Sequence, residues 1–187
     1  MTDISPPWEP PLAGTESEHL VAMLERLRAT FRWKADGLDL PGLKTAIPTS
    51  ALTLGGLLKH LALCEDDVFG WRIAGERPVT QLMAPEGADL DQWQFTVGED
   101  ETAEQVYALW DAAVQRSRQR MADILARNGL DEGGHLEFHG LRPSVRRHVC
   151  DLIEEYGRHT GHADLIREAV DGRVGEDPPS EWRPSGS

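Results

Sequence analysis

The chain has 187 residues, 40% of them hydrophobic, and a formal net charge of −13. That length and apolar content suit one compact domain with a substantial core and argue against global disorder. The acidic balance argues against a nucleic-acid binder, which needs a basic face; the one compact basic stretch, Arg142-Pro-Ser-Val-Arg146-Arg147-His148, reads as a solvated helix start.

The first fifteen residues carry Pro6, Pro7, Pro10 and Pro11 and predict an extended arm. Their start, Met1 to Trp8, lacks the charged and apolar regions of a signal peptide, and no apolar run reaches the ~20 residues that span a bilayer. A cytoplasmic protein without membrane contact is the expectation.

Thr15 followed by Glu18 predicts a capping box. Leu20, Leu24, Leu27 and Phe31 then continue a helical stripe that fades at Asp36-Gly37. After a linker with Pro41, Gly42 and Pro48, a second helix begins near residues 50–53. It carries Leu54, Leu57, Leu61 and Val68 and ends around Gly75. Residues 76–100 form a connection long enough to suggest function, with Trp93 and Phe95 as anchors that place it over a site. Thr102 and Gln105 form another capping box and open a third helix. Its inner stripe is Val106, Trp110, Ala113, Met121 and Ile124, and Asn128-Gly129 stops it. A Gly-rich stretch follows, with a turn or hairpin around His135 to His139. The fourth helix opens with Pro143 near its first position. It buries Val145, Val149, Leu152, Tyr156, Ala163, Ile166 and Val170, and closes at Asp171-Gly172. With no strand series and no repeat, the reading is all-α: a four-helix bundle with long inter-helix connections.

Two stretches carry chemistry. Glu155-Tyr-Gly-Arg-His159-Thr-Gly-His162 places Glu155, His159 and His162 within a sector of roughly 60° on one helix. His60 stands among leucines on the second helix. Imidazole and carboxylate on inner faces are costly unless paired or bound, and together they suit a divalent transition metal, whether zinc, nickel or iron. His60, Glu155 and His159 would supply three ligands and leave one open position. His162 then stands as a fourth ligand, a neighbour of the ligands or a substrate contact. Cys64, one turn after His60, reads as a small core residue. With Cys150 it is too little for a disulfide framework. Glu65-Asp66-Asp67 reads as a solvated face, His135 and His139 as surface residues, and Arg167-Glu168 as surface charge.

Leu54-Gly55-Gly56-Leu57-Leu58-Lys59-His60-Leu61 and the Glu155-x-x-x-His159-x-x-His162-x-Asp164-Leu165-x-Arg167-Glu168 phrase together resemble the DinB-like superfamily. The resemblance covers residues 15–173. It leaves residues 1–14 as a Pro-rich arm and 174–187 as a flexible tail. It implies a DinB-like bundle with a divalent metal held by His60, Glu155 and His159. Glu155 takes the place of the commoner histidine, similar to the mycothiol-dependent maleylpyruvate isomerase. His162 is placed beside the metal, as a catalytic proton relay. The implied activity is transfer of a low-molecular-weight thiol of the mycothiol type to an electrophile, with zinc as the first choice of ion and a homodimer as the assembly. The alternatives are a metal-dependent hydrolase and a non-catalytic binding or stress-linked protein.

Overall fold

The protein is described here from a computed structural model, which covers residue 6 and residues 8–184. The outermost parts of the expected arm and tail, residues 1–5, 7 and 185–187, lie outside the described residues. Four long helices dominate: α1 (Glu16–Ala35), α3 (Leu54–Asp66), α6 (Ala103–Arg127) and α7 (Val145–Asp171). Short helices α2 (Leu40–Leu43), α4 (Val79–Leu82) and α5 (Leu90–Trp93) lie in the connections, and α3 runs on as a π-helical segment, Asp67–Ile73. The described residues form only isolated β-bridges and no strand. Helix α1 packs chiefly on α7, and α3 on α6 and α7, which gives the expected four-helix bundle.

The ends form where the sequence places them. Both capping boxes are present, at Thr15 with Glu18 and at Thr102 with Gln105. Gly172 closes α7 in the left-handed conformation, at φ 79°. The start of α7 differs by two residues: Ser144 is the N-cap, its side chain accepting from Arg147 N, and Pro143 precedes the cap. A hydroxyl that satisfies a free backbone N–H fixes that start better than a proline that only lacks a donor. The inner stripe expected of α6 is buried throughout.

Three charged groups read as surface lie inside. Glu65 is fully buried; its carboxylate accepts from Arg28 Nε at 2.7 Å and Nη2 at 2.6 Å. The Tyr156 hydroxyl donates to Glu65 Oε1 at 2.7 Å and accepts from Trp110 Nε1 at 3.0 Å. Arg28, Glu65, Trp110 and Tyr156 come from α1, α3, α6 and α7, so one polar chain ties all four long helices together at their centre. Asp66 is also buried. It accepts from Arg116 and from the backbone and hydroxyl of Thr80, at 2.8 and 2.7 Å, and so pins α4 to α3. Arg167 is buried as well, donating to the carbonyls of Lys34 and Asp36 at the end of α1 at 2.9 and 2.6 Å. Each is a charge that tolerates burial because its hydrogen bonds are met. His148 is another exception to the solvated helix start: it is buried, and neither ring nitrogen has a partner in the described residues.

The connection 76–100 is held down on α3. Lys59 Nζ donates to Thr96 O at 2.7 Å and pairs with Glu101 at 2.8 Å, and it lies 4.3 Å from the centre of the Trp93 ring. A side chain at Gly56 would put Cβ 2.3 Å from the Phe95 carbonyl oxygen, and one at Gly55 would meet Val97 at 2.6 Å. The Gly55-Gly56 pair therefore lets the loop reach the helix one turn before His60. Along α1, Trp8 meets Trp182 edge-on, ring centres 6.4 Å apart, and Asp177 pairs with Arg26.

Candidate metal centre

His60 projects from α3, and Glu155, His159 and His162 project from one face of α7, at the spacings that align residues along a helix. Glu155 Oε1 lies between the two imidazoles, 2.8 Å from His60 Nε2 and 3.1 Å from His159 Nε2. The ligand atoms of His60, Glu155 and His159 all fall within 4.8 Å of one another, and this is the one such metal-competent group found among the described residues. Both histidines are buried and Glu155 is partly exposed.

Each ring also has a partner at its outer nitrogen. Gln94 Nε2 points to Asp91 Oδ1 at 3.4 Å, which turns Gln94 Oε1 toward His60 Nδ1 at 2.8 Å. A carbonyl oxygen can only accept, so Nδ1 carries a proton; Nε2 is then the nitrogen that donates to Glu155 when the ring is charged and offers its lone pair to an ion when the ring is neutral. Phe95 stacks on the same ring at 4.4 Å between centroids and fixes its plane. His159 Nδ1 meets His162 Nδ1 at 3.2 Å, on the side of the ring away from Glu155. His162 thus touches a candidate ligand and stands outside the three converging donors.

Burial alone would raise the Glu155 carboxyl, but the hydrogen bond from His60 and the positive potential of His159 and His60 outweigh it and hold the carboxyl below its usual range. Burial, then the charge of His60, pushes His159 below the ordinary histidine value. An ionised carboxylate beside neutral imidazole is the protonation state that a metal requires. Two nitrogens and one anionic oxygen form the His₂Glu donor set of open zinc sites.

A cavity of about 490 Å³ opens beside this cluster, lined among others by His60, Cys64, Asp67, Arg72, Asp91, Gln94, Asp151 and Glu155. Cys64 Sγ lies 3.5 Å from His60 Nε2, so this residue faces the site instead of filling the core. Burial, followed by the negative charges of Glu155, Asp67 and Glu65, pushes its thiol well up and keeps it protonated. His135 and His139 stay exposed on the loop before α7, as their lack of a helical frame suggests. Gln94 had no signal in the sequence beyond its place between the expected anchors Trp93 and Phe95.

A family model described as mycothiol-S-transferase matches residues 19–172 of this chain. The chain belongs to the mycothiol-S-transferase family. This family lies within the DinB-like superfamily that the two helical motifs resemble. Among curated proteins no match was found. The matched span runs from His19, in the first turn of α1, through α3, α6 and α7 to Gly172, and takes in His60, Glu155, His159 and His162.

Proposed function

We propose that the protein is a divalent-metal-dependent transferase that joins a thiol of the mycothiol type to an electrophile, with zinc as the ion. The observation that carries this reading is the convergence of three donor atoms within 4.8 Å, two of them, from His60 and Glu155, on residues that line a cavity of about 490 Å³. His60 and His159 would hold the ion through Nε2, and Glu155 through its carboxylate. A divalent ion held there supplies Lewis acidity, which favours the ionised, nucleophilic form of a thiol.

The remaining work belongs to the chain's own residues. Gln94 and His162 hold the outer nitrogens of the two imidazoles and so aim their lone pairs inward. His162 is absent from the cavity lining and meets the cluster through His159 Nδ1 at 3.2 Å, so we assign it as a positioning residue in place of the expected relay. The protonated Cys64 thiol is a poor nucleophile, which fits a thiol supplied by a co-substrate. In the transfer a carbon–sulfur bond forms, the leaving group departs with its electron pair, and the thiol proton passes to solvent through the open cavity. The homodimer and the cytoplasmic setting expected from the sequence form part of the same proposal, and light scattering tests the first.

The test is turnover of an uncharged electrophile by purified protein with and without added mycothiol and zinc. We expect product only when both are present, and none from His60→Ala or His159→Ala. Turnover of an ester or amide without thiol would favour a hydrolase. Thiol-linked stabilisation without turnover under any condition would favour a binding protein.

A further inference from the structure

The cavity beside the triad has a charge imbalance that bears on the electrophile. Asp67, Asp91, Asp151 and Glu155 line it, and Arg72 is the one Lys or Arg among the described residues that do so. Asp67 already engages that guanidinium, accepting from Nε at 2.6 Å. Asp151 accepts from Arg147 Nε at 2.6 Å, but Arg147 is largely exposed and outside the lining, where solvent and salt screen it. Asp91 has no cation within ion-pair distance among the described residues; its side chain accepts from the neutral Gln94 carboxamide at 3.4 Å. A dication at the triad offsets Glu155 and one further carboxylate, and the end of the cavity formed by Asp91 and Asp151 remains negative.

Such a wall treats ligands differently by charge. Carboxylates and the carboxamides of Gln81 and Gln94 accept hydrogen bonds from hydroxyl groups, so the wall suits a polyhydroxylated, uncharged molecule. A ligand carboxylate brought to the same wall meets like charge, and the one guanidinium there, that of Arg72, is already engaged through Nε by Asp67. Resting on the thiol-transferase reading, we infer that Asp91 and Asp151 restrict the electrophile to uncharged or cationic molecules. Carboxylate-bearing electrophiles, dicarboxylates above all, are disfavoured. Family membership alone leaves this open; the distribution of charge along the cavity decides it.

The test uses the full-length, zinc-loaded protein and three conjugates of mycothiol that differ only at the far end of the group on sulfur: S-(4-carbamoylbenzyl), S-(4-aminomethylbenzyl) and S-(4-carboxybenzyl) mycothiol. Calorimetry should find the neutral and cationic conjugates about tenfold or more tighter than the anionic one. The double variant Asp91→Asn with Asp151→Asn should bring the anionic conjugate to within about threefold of the neutral one. Raising salt to ~0.5 M should narrow the wild-type gap in the same direction, which keeps the inference testable should the double variant fail to fold. Equal binding of all three conjugates, or tighter binding of the anionic one, would overturn the charge inference and leave the thiol reading standing. Failure of every conjugate to bind would overturn both.

Discussion

Gln94 offers the sharpest test of how the metal centre is built. It lies 34 residues from His60 in sequence and outside the long helices, yet it accepts from His60 Nδ1 at 2.8 Å. Gln94→Leu removes that acceptor while keeping comparable bulk, and the His60 ring is then free to carry its proton on either nitrogen. The tautomer with the proton on Nε2 cannot bind an ion through that nitrogen, and turning the ring to use Nδ1 disrupts its stacking on Phe95 at 4.4 Å. Loss of an outer hydrogen-bond partner of a metal-bound histidine costs about 10–100-fold in affinity, or roughly 1.4–2.8 kcal/mol. Gln94→Glu keeps an acceptor on Nδ1 and should hold affinity closer to wild type. Competition for zinc against a chromophoric chelator measures all three proteins, with circular dichroism to confirm an unchanged helical content. The reasoning is refuted if Gln94→Leu binds zinc within about twofold of wild type while His60→Ala loses it.

Glu155→Gln keeps shape but removes the anion between the imidazoles, so zinc affinity should fall, whereas Glu155→His should retain the ion through a third imidazole. His162→Ala should keep metal bound, weakened by about tenfold at most, with activity reduced; complete loss of metal there, alongside unchanged binding in Glu155→Gln, would move the ligand set to His60, His159 and His162. Glu65→Ala removes the buried carboxylate that takes two of Arg28's hydrogen bonds, leaving Arg28 only the partly exposed Glu25, and leaves the Tyr156 hydroxyl without an acceptor. It should cost about 3–5 kcal/mol in urea unfolding, and a loss below about 1 kcal/mol would show the four-helix polar chain to be dispensable. Stability of the metal-free protein should fall as pH drops below the ordinary histidine value of 6.5. Burial first, then the charge of His60 at His159 and of Arg72 at His148, holds both folded-state values below it. The unfolded chain therefore takes up protons first, and the loss is complete only below the folded values; Glu155 adds a loss of the same sign below 4.5. A urea midpoint unchanged between pH 7 and pH 5 would contradict this.

What the sequence determined by itself was local. The capping boxes at Thr15 and Thr102, the apolar stripes and the glycine at position 172 fix helix ends and inner faces, because each rests on residues within a few positions of one another. The three residues of α7 on one face were legible for the same reason, and His60 was legible as a polar group out of place among leucines. Tertiary structure decided which partners those groups meet. Glu65 and Arg167 look like surface charges beside their acidic or basic neighbours, and only the packing of α1 against the other helices brings Arg28 to Glu65 and the end of α1 to Arg167. Gln94 became part of the centre because Gly55-Gly56 lets the 76–100 connection lie against α3. Cys64 reaches the site because α3 presents it one turn after His60, with Sγ 3.5 Å from His60 Nε2. The charge of the cavity wall comes from Asp67, Asp91 and Asp151, on the extension of α3, on α5 and on α7. No spacing in the sequence relates these three, since their proximity arises from long-range packing that brings separate elements around one void.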